Sequence, residues 1–289
     1  MTSLLRLTRP LHLLFAALAY LLGAGIADYL GITFRPLPFW LGLLGVLLAQ
    51  FTMSILPEIF RLDNEPLAEG ETRRERQTLR NNVLYISIAS LASLVIIFYS
   101  LLASRQLPLS TFYFPALSLL VILAHSLPPV RLINRGFGEL LLAIHLAYII
   151  PTIAFIFQAG NTHRFLAITL PLTFLAFAYF IVSNFPTFAQ DRKYGRVTFL
   201  TRLGWERVVP LHHIFVIFAY LFFLVMPAFG LTLPLLASAF LTLPFALYQI
   251  LQLRNIALGL PPNWKILQAT ASAVFGLTAY FLALTFWIR

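Results

Sequence analysis

Residues 165–204 read FLAITLPLTFLAFAYFIVSNFPTFAQDRKYGRVTFLTRLG, an uncharged apolar run that ends in an amide, a carboxylate and a string of cations. A helix needs about 20 such residues to cross roughly 30 Å of hydrocarbon. The first half is therefore read as a membrane span, and the second half as the place where that span meets water. If the helix continues, Asn184, Thr187, Asp191 and Gly195 fall at offsets of three, four and four and share one face. Arg192, Lys193, Arg196 and Arg202 follow at once. Acid beside clustered base at the mouth of an apolar bundle suits a metal-bridged phosphate better than lipid.

The rest of the chain extends this reading. Its 289 residues are 60% hydrophobic and only 10% charged, with a mean hydropathy of +0.87, whereas a soluble domain carries about a quarter charged residues. Apolar runs at 11–30, 38–55, 83–102, 112–127, 137–157, 165–185, 208–229, 231–251 and 266–288 predict nine membrane-spanning helices in an all-α integral membrane protein. Continuous runs without period-two alternation argue against a β-barrel. The first run follows Arg6 and Arg9 as a secretory signal would, but it is long and leads into further spans, so it is read as a retained helix. No loop is long enough to build a soluble core, and residues 1–289 read as a single polytopic domain.

The absence of cysteine excludes disulfides, thiolate metal sites and a cysteine nucleophile. The formal charge of +10 is read as topology rather than as nucleic-acid binding, because sixteen of the twenty basic residues fall in alternate loops on the amino-terminal side. The positive-inside rule then puts the amino terminus in the cytoplasm and the carboxyl terminus outside, in a bacterial or archaeal cell membrane. No obligatory protein partner is inferred.

The loop at 57–82 holds six of the ten acidic residues. Ser54, Glu58, Arg61 and Glu65 again lie at helical offsets, so a second acid-bearing helix end is expected to face the same opening. Two carboxylate groups that close can hold Mg²⁺ together with the oxygens of a diphosphate. Glu69, Glu71 and Glu75 read as a solvated surface balanced by arginine. His12 and His145 lie inside spans, where a lone histidine is usually bonded between helices.

Residues 184–204, NFPTFAQDRKYGRVTFLTRLG, resemble the second aspartate-rich region of the UbiA superfamily of intramembrane aromatic prenyltransferases, through Asn184, Pro186, Asp191, Gly195, Thr198, Arg202, Leu203 and Gly204. Residues 126–141, SLPPVRLINRGFGELL, resemble the stretch after the fourth helix in that family's 1,4-dihydroxy-2-naphthoate polyprenyltransferase-like branch, through Pro128, Pro129, Arg131, Arg135, Gly136, Gly138 and Glu139. LRLTRP, ending at Pro10, is a shorter third match. The resemblance implies a ring of nine helices around an apolar cavity that opens sideways to lipid, capped by two acidic loops. It also implies a polyprenyl diphosphate donor bound through Mg²⁺ and an aromatic, quinone-precursor-like acceptor that attacks the allylic cation.

The chain departs from the family pattern at both acidic regions. Where the first would carry asparagine and three aspartates, it has Pro57, Glu58, Arg61 and Glu65, and an expected aspartate of the second is Thr187. Carried over, the resemblance makes Asp191 and Glu58 the catalytic pair and Glu58, Glu65 and Asp191 the Mg²⁺ ligands. Arg61, Arg131, Lys193 and Asn184 are then the groups on the diphosphate. Arg61 either pairs with that diphosphate or cancels a neighbouring acid. Two further readings stay open: a non-catalytic relative that binds a prenylated lipid, and a secondary transporter.

Overall fold

A computed structural model describes residues 7–61 and 72–289. Among these, nine helices are long and apolar enough to cross a membrane. In chain order they are α1 (Pro10–Tyr29), α2 (Pro36–Phe60), α3 (Arg73–Ala103), α4 (Leu109–Ser126), α5 (Gly138–Ala159), α6 (Arg164–Ser183), then the short α7 (Phe188–Lys193) and α8 (Phe199–Leu203), and finally α9 (Trp205–Phe229), α10 (Leu233–Ala257) and α11 (Trp264–Ile288). The chain is an integral membrane protein of all-α architecture.

Local chemistry sets the ends of these helices. Proline opens α1 and α2 at their first positions, where its missing N–H costs nothing. Thr72 and Glu75 form a capping box that starts α3 at Arg73, well ahead of the apolar run at 83–102. Glu75 is exposed, as expected, and it also caps the helix: Thr72 N donates to its Oε2 at 2.8 Å. Thr198 and Thr201 make the same reciprocal arrangement at the start of α8.

Packing sorts the helices into an inner and an outer set. The apolar windows of α5 and α6 are 78% buried and that of α3 only 17%, which leaves α3 facing outward beside α2. Small residues let the inner helices approach closely. A Cβ at Gly23 would collide with the Pro151 carbonyl of α5, and one at Gly276 would strike the Phe15 ring. Buried polar groups then tie three helices at a time. His145 on α5 meets Ser118 of α4 at 2.9 Å and Gln50 of α2 at 3.1 Å. Tyr220, Thr242 and Thr278 link α9, α10 and α11 at 2.9 and 2.6 Å. Bonds of this kind are worth about 0.6–2 kcal/mol each in a bilayer.

Two expected helix extensions do not occur. Beyond Ile55, α2 tightens into a 3₁₀ turn over Leu56–Phe60, and Arg61 is already extended. Ser54 bonds back to the Gln50 carbonyl, and Arg61 comes round to Glu58 instead of extending a helical face. Likewise α6 ends at Ser183, because Pro186 has no N–H to continue the ladder, and the chain turns through Asn184–Thr187 before α7 begins. Thr187 and Asp191 still share a face, but Asn184 points elsewhere. These breaks, the start of α1 and the α4–α5 connection gather at one end of the bundle.

Candidate functional site

At the end of α2, Glu58 is 5% exposed and forms an ion pair with Arg61. Arg80 of α3 donates to the Arg61 carbonyl, and the Arg131 guanidinium lies 6.0 Å from the centre of the Phe60 ring. Glu58, Arg61, Arg131 and Arg196 border a void of only about 10 Å³.

The second corner is built on α7. Asp191 is 2% exposed, accepts a hydrogen bond from Thr187 Oγ1 at 2.9 Å and meets Arg196 Nη1 at 3.4 Å. Gly195, at φ +69°, takes a left-handed conformation that few other residues adopt cheaply, and it returns the chain so that Arg196 N also reaches the Asp191 carbonyl at 2.8 Å. Burial pushes the Asp191 carboxyl above its ordinary range, against the opposing pull of Arg196 and Thr187.

Arg196 connects this corner to a cavity of about 290 Å³. Its walls come from Arg9 and the first turn of α1 (His12), α5 (Glu139, Leu142), α6 and the turn after it (Tyr179, Phe180, Asn184, Thr187), the segment entering α8 (Arg196, Thr198), and α11 (Gln268, Ser272). His12 sits edge-on to the Tyr179 and Phe180 rings. Glu139 is 5% exposed; its Oε1 accepts from the Asn184 amide and from Phe199 N at 3.0 Å, while its Oε2 has no partner.

Arg9 immediately precedes α1 and lines the same cavity. Burial lowers its pKa, Glu58 counters that shift, and Arg196 and Arg61 add to it. Of the three non-glycine residues with left-handed backbones among the described residues, Arg9 and Arg131 both belong to this end, in keeping with the tendency of strained conformations to gather at functional sites. Arg9, Arg61, Arg131 and Arg196 face Glu58 and Asp191, an excess of guanidinium suited to an oxyanion with several charges.

The structure thus brings Glu58, Arg61 and Arg131 together, and it joins them through Arg196 to Asp191. Asn184 lines the cavity with its amide on Glu139. Lys193 is not brought in: it is exposed, with its ammonium 5.3 Å from the Tyr194 ring, because α7 turns that face outward. Glu65 lies outside the described residues. The sequence places Arg196 in the basic cluster after Asp191 but does not single it out, and it assigns no role at the cavity to Arg9 or Glu139. The available signal for Glu139 was an acid at the start of a membrane helix, which is a functional candidate by default.

Among the described residues, no three acidic or histidine side chains cluster as a metal cage. Mg²⁺ that binds with phosphate needs only one or two carboxylates. Glu58 and Asp191 can supply those, provided that an incoming anion draws Arg61 and Arg196 off them. The donor set present fits one Mg²⁺ accompanied by a phosphate ligand.

The model of the UbiA prenyltransferase family matches residues 61–259, a little over two thirds of the sequence. The chain belongs to the UbiA prenyltransferase family. Membership carries prenyl transfer as the general activity. Two solved UbiA homologues share the fold. The one from Archaeoglobus fulgidus aligns at a TM-score of 0.59 and 19% identity over 99% of this chain and 100% of its own. The apo structure from Aeropyrum pernix K1 aligns at 0.55 and 14% identity, over 94% of this chain and 97% of its own. No curated protein matches the chain. Both corners and the cavity lie at the end of the bundle where the apolar spans give way to charged residues.

Proposed function

We propose that this UbiA-family protein transfers a polyprenyl group from a prenyl diphosphate to an aromatic, quinone-precursor-like acceptor within the membrane, with Mg²⁺ as cofactor. The observation that carries the proposal is Arg196, which holds buried Asp191 and lines both the void at Glu58 and the larger cavity. The charged end faces the cytoplasm in this reading, residues 1–289 act as one unit, and no further protein is needed.

Arg196, Arg9, Arg61 and Arg131 bind and orient the diphosphate and stabilise the charge that grows on it as the allylic C–O bond breaks. Glu58, Glu65 and Asp191 are the proposed Mg²⁺ ligands; bound there, Mg²⁺ would neutralise phosphate charge. Apolar walls at Leu142 and Phe180 exclude water from the cation, and aromatic faces near it are attractive to positive charge. The acceptor then bonds to the allylic carbon.

One observation favours a second reading. Each carboxylate already rests on an arginine, as expected if the fold binds a prenylated lipid without turnover. Purified protein in proteoliposomes, supplied with prenyl diphosphates of several lengths and a panel of hydroxyarenes, separates the two. Prenylated product that disappears on chelation and returns with Mg²⁺ supports transfer. Absence of product across the panel supports the binding protein.

A further inference from the structure

Glu139 is the buried acid that the diphosphate chemistry leaves unused. It occupies the first turn of α5, where Oε1 is committed twice, to the Asn184 amide and to the Phe199 N–H. Oε2 has no hydrogen-bond partner in the structure, yet the residue lines the 290 Å³ cavity and is 5% exposed. Buried polar atoms are almost always satisfied, by protein, water or ligand. A carboxylate oxygen accepts hydrogen bonds and repels phosphate, so the ligand it awaits carries a donor and is not the diphosphate.

The remaining walls say more about that ligand. Tyr179, Phe180 and His12 border the same cavity as a set of edge-to-face rings. Aromatic rings pack well against such a wall. Arg9 and Arg196 lie in the same cavity, so an anion and a hydroxyl donor have separate partners within one chamber.

We infer that Glu139 Oε2 receives the hydroxyl group of the aromatic acceptor and takes its proton as the new bond forms. The inference rests on the prenyl-transfer reading and adds a residue to it. The ring carbon adjacent to the hydroxyl bonds to the allylic carbon, the C–O bond to diphosphate breaks with its electron pair leaving on diphosphate, and the O–H proton passes to Glu139. The resulting dienone regains aromaticity when its ring proton moves to oxygen. Glu139 later releases its proton to water or to the departing diphosphate.

The discriminating probe is a pair of ligands, 1-naphthol and 1-methoxynaphthalene, which differ in a single donor. Equilibrium binding is measured with the full chain in nanodiscs, for wild type and Glu139→Gln. Gln keeps an oxygen for Asn184 and Phe199 but presents an N–H₂ where Oε2 was, so the fold is retained, and a melting curve checks this. Wild type is expected to prefer the naphthol by about ten- to a hundredfold, the worth of one hydrogen bond to a charged group. Glu139→Gln removes most of that preference, because an amide N–H serves hydroxyl and ether oxygens alike, while Glu139→Asp retains part of it. Equal preference in wild type and Glu139→Gln overturns the inference, as does an unchanged preference coupled to a higher Mg²⁺ requirement for turnover, which would make Glu139 a metal ligand. If the naphthol preference depends on Glu139 but no prenylated product forms with any donor, the transfer reading fails and the hydroxyl site stands. If product forms and the preference does not depend on Glu139, transfer stands and this inference fails.

Discussion

The two acid-bearing corners solve the same electrostatic problem differently. Glu58 and Arg61 are three residues apart on one tight turn, and the space beside them is about 10 Å³, roughly what a single water needs. Asp191 and Arg196 are joined across the Gly195 turn, and Arg196 opens onto about 290 Å³. One pair borders almost no free space and the other addresses a chamber. The lesson is that a shared motif position does not guarantee a shared role. In the proposed function the second corner meets the ligand most directly, and the first adds charge and a metal-binding acid behind it.

The largest expected asymmetry is in turnover. Asp191→Asn should lower kcat by at least about a hundredfold, the scale seen when one charge-stabilising group is removed from a catalytic site. Glu58→Gln should cost about tenfold or less and appear mainly as a higher Mg²⁺ requirement. Steady-state rates at saturating donor across a Mg²⁺ titration measure both, and equal losses would erase the distinction between the corners.

A smaller effect is the pH dependence that Asp191 brings. Burial raises the Asp191 pKa in the folded state, so the folded protein binds that proton more tightly than the unfolded chain does. The stability this gives is full below about pH 4, the ordinary aspartate value, and is lost as pH rises through the folded value. Melting temperatures from about pH 4 upward should therefore fall in wild type relative to Asp191→Asn across that rise. Parallel curves would show that Asp191 does not carry the burial cost assigned to it.

The membrane spans were readable because each is a long apolar run, and most ends fall within three residues of expectation; α2 and α10 run on further at their carboxyl ends, and α3 starts ten residues early. There the sequence Thr72 to Glu75 is itself a capping signal, and it lengthens the helix well beyond its hydrophobic part. Proline was the signal overlooked at both corners: Pro57 and Pro186 stop the helical faces on which Arg61 and Asn184 had been placed. Asp191 and Glu58 were legible as buried acids at helix ends. Lys193 was misplaced because a cation next to an acid in sequence points away from it on a helix. Arg9, Arg196 and Glu139 meet only through tertiary packing of α1, α5 and the α7–α8 turn, which no local spacing encodes.

In the proposed function, Arg196 beside the chamber holds more of the donor's diphosphate than Arg61 beside Glu58 does. Equilibrium binding of a non-reactive prenyl thiodiphosphate to the protein in nanodiscs tests it, comparing wild type with Arg196→Ala and Arg61→Ala. Arg196→Ala should weaken binding by about ten- to a hundredfold and Arg61→Ala by about threefold. Binding that is lost with Arg61→Ala and retained with Arg196→Ala would contradict it.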